Sequence, residues 1–322
     1  MTAWFAQRLL NAIPLLLGIT LVCFLTIKLA PGDPISLMAD LNPKMAANEA
    51  MKEAYGLNDP WYVQYGNWLN ALAHGKLGTS LAPDGRAVAD KIADALPITV
   101  WLNVIGLMLV IIISVPLALL AATRPDKLTD HVLTIITYIG AAAPGVWLAV
   151  LALQYFSVGL GWLPLAGIRS FGAENLPWYS QLADLAWHAT LPLAVGVFGS
   201  LAGILRFMRG SLIETLRQDY LLTAQAKGAS RARVLTRHAL RNALLPLITI
   251  LGLSLPGLIG GSVIMESLFA LPGLGLLFYS AVLMRDYPVL MALLTAGAVL
   301  TLLGNLLADF CTMLADPRTR AD

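Results

Sequence analysis

Eight basic side chains crowd one stretch of this chain: Arg206, Arg209, Arg217, Lys227, Arg231, Arg233, Arg237 and Arg241, against only Glu214 and Asp219. Guanidinium and ammonium groups at this density make charge-assisted hydrogen bonds to carboxylates or phosphates. The chemistry on offer is recognition of an anionic partner. Bond-making chemistry finds no motif to rest on. There is no G-x-x-x-x-G-K-[ST] loop for nucleotide, no H-E-x-x-H and no G-x-S-x-G. His74, His131, His188 and His238 are scattered, Cys23 and Cys311 lie in apolar runs, and no catalytic or metal-ligating set is expected.

Within this stretch, residues 219–242 read as helix, glycine break, helix. Asp219 is expected to cap Tyr220–Lys227, where Ala224 and Ala226 supply a small, helix-favouring surface. Gly228 permits a left-handed turn, and Ser230 caps a second helix over Arg231–Leu240 that carries Arg233 and Arg237. Such a hairpin could lie on anionic lipid headgroups or be offered to a protein partner.

The elements that must position it are apolar. Apolar residues make up 58% of the chain and charged residues 12%, about half the charged share of a soluble domain. Six runs, Leu9–Leu29, Ile98–Ala122, Val132–Leu160, Leu185–Leu205, Ala243–Met265 and Val289–Leu314, each reach the ~20 residues that a helix needs to cross hydrocarbon. The first follows Arg8 but has no small-residue cleavage site after it, so it reads as a span and not a signal peptide. The fold class is therefore an all-α integral membrane protein with six transmembrane helices. Basic loops stay on the cytoplasmic side, which puts the Arg-rich loop 206–242 and both termini inside and residues 31–96 outside.

Residues 31–96 read as a helical insertion. Asn42 and Pro43 open a first helix that Gly56 ends; Asp59 and Pro60 open a second, with Gly75 as its stop. On the second helix Trp61, Tyr65, Trp68, Leu69 and Leu72 share a face. That face either packs on the first helix or membrane surface, or docks an external partner. The fifth run holds Pro246, Gly252, Pro256, Gly257, Gly260 and Gly261, a pattern of close helix packing that also suits a pathway that opens and closes. The spans hold almost no ionisable residue in their middles; Lys28, Glu266 and Asp309 fall near predicted ends. Ion-coupled carriers usually need intramembrane acids or histidines, so a secondary carrier is the weaker expectation.

Here the chain resembles a known family. Leu222-Thr-Ala-Gln-Ala-Lys-Gly228 with its following basic helix is similar to the EAA loop of permease subunits in type I ABC importers, and Arg237-His-Ala-Leu-Arg-Asn242 to the peptide/nickel branch. Ala30-Pro-Gly-Asp-Pro34, Tyr55-Gly-Leu-Asn-Asp-Pro60, Gly75-Lys-Leu-Gly-Thr-Ser80, Gly161-Trp-Leu-Pro164, Glu266-Ser267 with Pro272-Gly-Leu-Gly275, Arg285-Asp-Tyr-Pro288 and Asp316-Pro-Arg318 extend the likeness along the chain. Leu222 stands where the general pattern has an acid, and Lys76 where the branch more often has one.

The resemblance implies a fold and a division of labour. Residues 1–30 would hold the first span, 31–96 the insertion, 97–315 the transmembrane core and 316–322 a cytoplasmic tail, in a bacterial plasma membrane. A second homologous permease, two ABC ATPase subunits and an extracytoplasmic substrate-binding protein would complete the importer, with membrane lipid around it and no nucleic acid. ATP and Mg would bind the ATPases and no cofactor this chain. Asp219, Tyr220, Thr223, Ala224, Ala226, Lys227, Gly228, Arg233 and Arg237 would couple to an ATPase. Gly252, Pro256, Gly257, Gly260 and Gly261 would line or gate the pathway, and Trp61, Tyr65 and Trp68 would meet the binding protein. Di- or oligopeptides are the expected cargo, with nickel chelates, glutathione or oligosaccharides as alternatives.

Overall fold

The computed structural model describes residues 2–29, 56, 58–244, 247, 250, 254, 257 and 262–315, the side chains of 2–9 and 307–315 aside. Its elements are helical: α1 (Thr2–Leu29), α2 (Trp61–Ala73), α3 (Val88–Ala122), α4 (Leu128–Ala142), α5 (Gly145–Gly159), α6 (Trp178–Leu216), α7 (Asp219–Ala226), α8 (231–243), α9 (Val263–Leu268), α10 (Leu274–Met284) and α11 (Tyr287–Ala315). Among the described residues four helices are long and apolar enough to cross a membrane, or five if α4 and α5 form one bent span. Most of the fifth run, with Gly252, Pro256, Gly260 and Gly261, lies outside the described residues, as do the insertion's first helix and the motifs at 30–34 and 316–318.

Two of these helices are longer than the runs that announce them. α3 has 35 residues and α6 has 39, so at 1.5 Å per residue each exceeds the ~30 Å hydrocarbon layer by roughly 20 Å or more. Residues 88–96, read as the end of the insertion, are the first turns of α3. At the other extreme, Arg206 and Arg209 are not loop residues but belong to the last turns of α6. Apolarity marks the part of a helix that sits in lipid, and a helix carries on past it wherever its backbone bonds remain favourable.

The third run is not one straight helix. α4 and α5 meet at a 98° bend. Pro144 has no N–H to continue the ladder and its ring pushes Ala143 out of the helical region, to φ −76 and ψ 127. The last turns of α5, Leu153–Gly159, are wound with π-helical bonding.

The residues group into two compact units. In the first, comprising Met1–Thr99, Ile259–Ser267 and Pro272–Leu306, a core of Val88, Ala281, Val289, Leu290 and Ala292 takes in Ile27, Leu77 and Phe278 from its edges. α2 lies on α1: the Tyr65 hydroxyl sits 2.9 Å from Thr20 Oγ1, and the Tyr65 ring meets Phe24 at 5.4 Å. The second, comprising Val100–Leu258, Leu268–Leu271 and Leu307–Asp322, centres on α6. There Ala118 and Ala122 of α3, Met208 and Leu212 of α6, Ala243 of α8 and Leu247 form a buried cluster. Gly140 lets α4 approach α6, since a Cβ there would meet the Phe198 carbonyl oxygen at 3.2 Å.

Candidate functional site

The basic hairpin forms, with its turn as the sequence predicts. α7 ends at Ala226, and Gly228 adopts φ +84, a left-handed conformation that costs a side chain ~1–2 kcal/mol and costs glycine nothing. Gly228 N–H bonds the Gln225 carbonyl and Ala229 N–H the Ala224 carbonyl, which close the turn. Ser230 Oγ then accepts from the Arg233 N–H, the expected N-cap. One expectation fails: Asp219 does not cap α7. Gln218 holds the cap position without a side-chain bond, and Asp219 is the first helical residue, where its charge favours the helix dipole without satisfying a particular N–H.

What holds the two arms together is small. Leu221, Val234 and Ala239 are buried against one another, with Leu216, Ala224 and Ala229 at the margin. Val234–Ala239 is π-wound, so α8 changes pitch midway. A polar clasp adds to this core: Asn242 Nδ2 donates to the Tyr220 hydroxyl at 2.7 Å, and that hydroxyl donates to the His238 carbonyl at 3.4 Å. The two alanines of the motif part company. Ala224 faces the inner core, whereas Ala226 is exposed together with Leu222, Thr223, Lys227 and Gly228. The exposed face of α7 mixes the short Thr223 and Ala226 with the longer Tyr220, Gln225 and Leu222, the last 64% exposed where the general family pattern has an acid. Arg233 and Arg237 are exposed as well.

Three buried charged sites were not legible as such. Glu266, only 4% exposed, receives Thr99 Oγ1 at 3.0 Å, Gly275 N–H at 2.7 Å and Leu276 N–H at 3.3 Å, while Thr99 Oγ1 accepts from Leu274 N–H at 2.8 Å. Glu266 and Thr99 therefore cap α10, whose first turn points its unpaired N–H groups at them. The Pro-Gly-Leu-Gly motif exists to let them in. A Cβ on Gly273 would collide with the Glu266 carboxylate and the Thr99 hydroxyl, and one on Gly275 would lie 2.8 Å from the backbone of Ser262 and Val263.

At the far end of α10, Arg285 turns the chain with φ +53, and buried Asp286 takes bonds from the Ser80 hydroxyl and, at 3.1 Å, from the Leu81 N–H. Lys91 Nζ donates to Ser80 Oγ at 2.7 Å and pairs with Asp84 at 2.8 Å. Burial pushes the Asp84 carboxyl up, but the Lys91 hydrogen bond and charge, helped by the Arg86 amide and guanidinium, hold it below the usual carboxylate range. The Gly-Lys-Leu-Gly-Thr-Ser and Arg-Asp-Tyr-Pro motifs are thus two halves of one contact. In the second unit Asp130 binds Arg209 through two 2.6 Å hydrogen bonds, one each from Nε and Nη2, and also accepts from the Asp126 N–H.

The other candidates separate. Of the aromatic stripe, Tyr65 and Trp68 stack on each other at 5.9 Å and are partly covered, and Tyr65 packs on α1; Trp61 is 48% exposed beside Tyr62. Only Trp61 keeps a face free for an external partner. Gly257, the one gating candidate among the described residues, is exposed, and its carbonyl accepts from Asn103 of α3 at 3.4 Å.

Comparison with known proteins covers nearly the whole chain. Residues 114–321 match the family model described as the binding-protein-dependent transport system inner membrane component, and residues 1–103 match that system's N-terminal membrane component. The sequence is 43% identical over 318 residues to the oligopeptide transport system permease protein AppB of Bacillus subtilis, covering 99% of both chains. It is 37% identical to a putative peptide permease protein of Brucella ovis, over 99% of both chains. It is 36% identical to the oligopeptide transport system permease protein OppB of Haemophilus influenzae, over 99% of this chain and all of that one. Among solved structures, a chain of the inward-facing MetNI methionine ABC transporter superposes with a TM-score of 0.53 at 18% identity, over 70% of this chain and 96% of that one, a likeness of fold.

Proposed function

The chain belongs to the binding-protein-dependent transport system inner membrane component family, and from that premise we propose that it is the translocation subunit of an ATP-driven importer of di- or oligopeptides. The observation that carries the reading is the α7–α8 hairpin: a helix with an exposed outer face, braced by its own buried cluster and turned at a left-handed glycine. Such an element can seat in a groove on an ATPase and move as one piece. The peptide cargo is supported by the relatives above, which are peptide permeases by name.

In this reading the chain pairs with a second homologous permease, two ATPase subunits and an extracytoplasmic binding protein, and both its termini are cytoplasmic. It performs no bond chemistry itself. ATP binding draws the ATPases together and pulls Ala226, Thr223 and Leu222 with them. The buried Leu221–Val234–Ala239 cluster passes that displacement to α8, and Ala243, packed on Met208 and Leu212, passes it to the spans. The hairpin is a lever because its interior is apolar and its outer face is not committed.

Proteoliposomes test it. The chain reconstituted with its partner permease, ATPases and binding protein should take up labelled peptide only with ATP, and omission of the ATPases should abolish uptake. Uptake by this chain alone, driven by an ion gradient, would sink the reading.

A further inference from the structure

The hairpin also holds a cavity whose walls include Tyr220 and Arg237, two residues that the family resemblance ties to ATPase coupling, together with three that it does not. Tyr220, Arg237, His238, Arg241 and Asn242 line a space of about 430 Å³ beside the Asn242–Tyr220 clasp. No carboxylate is among its described lining residues, and the guanidinium groups of Arg237 and Arg241 make no ion pair or hydrogen bond with any described residue. Two unpaired guanidinium groups one helical turn apart, with an amide and a phenol beside them, form a donor-rich recess that asks for a doubly liganded anion.

Position along the chain selects its class. Arg241 lies two residues before Ala243, where the fifth apolar run begins, and Arg237 six residues before it. At 1.5 Å per residue the two guanidinium-bearing Cα atoms sit within ~9 Å of the start of that run along the helix, about the depth of a headgroup layer. The cavity also abuts Tyr220, an amphipathic ring of the kind that settles at that level. We propose that this cavity binds the phosphate of an anionic phospholipid headgroup, with Arg237 and Arg241 as the phosphate ligands and Asn242 and Tyr220 fixing the mouth. A lipid held there would tie the base of α8 to the membrane surface while the α7 face stays free. The inference stands apart from the transport reading, since it concerns only what the cavity takes up.

Native mass spectrometry on the full chain, purified with its partner subunits, tests it. Samples would be titrated with phosphatidylglycerol or phosphatidylcholine, with and without inorganic phosphate. The wild-type chain should retain one phosphatidylglycerol that the Arg237→Gln/Arg241→Gln double variant binds roughly 10–30-fold more weakly. Phosphatidylcholine retention should not differ between them, and Arg231→Gln, outside the cavity, should behave as wild type. Both arginines are exposed and unpaired, so the variant should fold, which its unfolding midpoint checks. If millimolar inorganic phosphate displaces the lipid, the site reads the phosphate group alone; if it does not, the acyl-bearing headgroup is the ligand, and the anion site stands in both cases. Equal phosphatidylglycerol retention by wild type and double variant overturns the proposal. Loss of the co-purifying ATPases with lipid retention unchanged also overturns it and reassigns the arginines to an acidic protein surface.

Discussion

α10 and the α7–α8 hairpin are both short helical pieces, yet they are held in opposite ways. α10 is fastened at each end by a buried carboxylate, Glu266 at its start and Asp286 just past its finish, and every ligand of those acids comes from within its own unit. The hairpin has no buried acid. Three apolar residues, one glycine turn and a phenol–amide clasp hold it, and its arginines point outward. Buried ionic capping has steep distance dependence and resists displacement, whereas a small apolar cluster keeps two arms together while the pair moves. One element is built to stay in place and the other to be gripped.

The largest expected effect tests the fixed element. Glu266→Ala leaves the Thr99 hydroxyl and two α10 N–H groups buried without an acceptor, which should cost on the order of 4 kcal/mol. Thermal unfolding of the purified complex in detergent reads it, and a loss below ~1 kcal/mol would show that α10 does not depend on its cap. Next comes Arg209→Lys, which replaces a two-pronged contact to Asp130 by a single ammonium. The same measurement should lose ~1–2 kcal/mol, softened by Arg209's partial exposure.

The hairpin should respond differently, in coupling more than in stability. Gly228→Val places a β-branched residue at φ +84 and should cost ~1–2 kcal/mol locally while sharply reducing peptide-stimulated ATP hydrolysis. No atom lies within 4 Å of the site of a Cβ on Gly228, so strain and not collision is the cause. Gly228→Asn, which tolerates the left-handed region, should retain most of the coupling. Equal loss in both variants would mean that the groove, not the turn, demands glycine.

The smallest effect is one of pH. Asp84 titrates lower in the folded protein than its ordinary 3.8, so the Lys91 contact stabilises fully above that value and fades as pH falls through the lower, folded one. An acid titration followed by unfolding should show a shallow decline there that Lys91→Met removes. A decline of the same size in Lys91→Met would assign it to other carboxylates. Asp84 is about half exposed, which keeps this term slight.

Much of the molecule was readable before folding. The hairpin's residues are neighbours in sequence, so the Gly228 turn and the Ser230 cap follow from local rules. The apolar runs announce spans because the bilayer acts on each stretch independently. The cap by Asp219 was misread because Gln218 and Asp219 are both competent at that end, and only the backbone path decides between them. The bend at Pro144 had its signal in the sequence, since the proline stands mid-run, but its 98° size did not.

The sequence by itself determined the class, the greasy helices, the glycine turn and the family, because each rests on composition or on residues within a few positions of one another. Only the tertiary structure decided that Glu266 meets Thr99, Asp286 meets Ser80 and Arg209 meets Asp130. Those partners stand 167, 206 and 79 residues apart. A lone acid near the end of an apolar run looks like a snorkelling surface residue until packing removes its water. It is then obliged to find donors, and where the chain brings them from is settled by the fold.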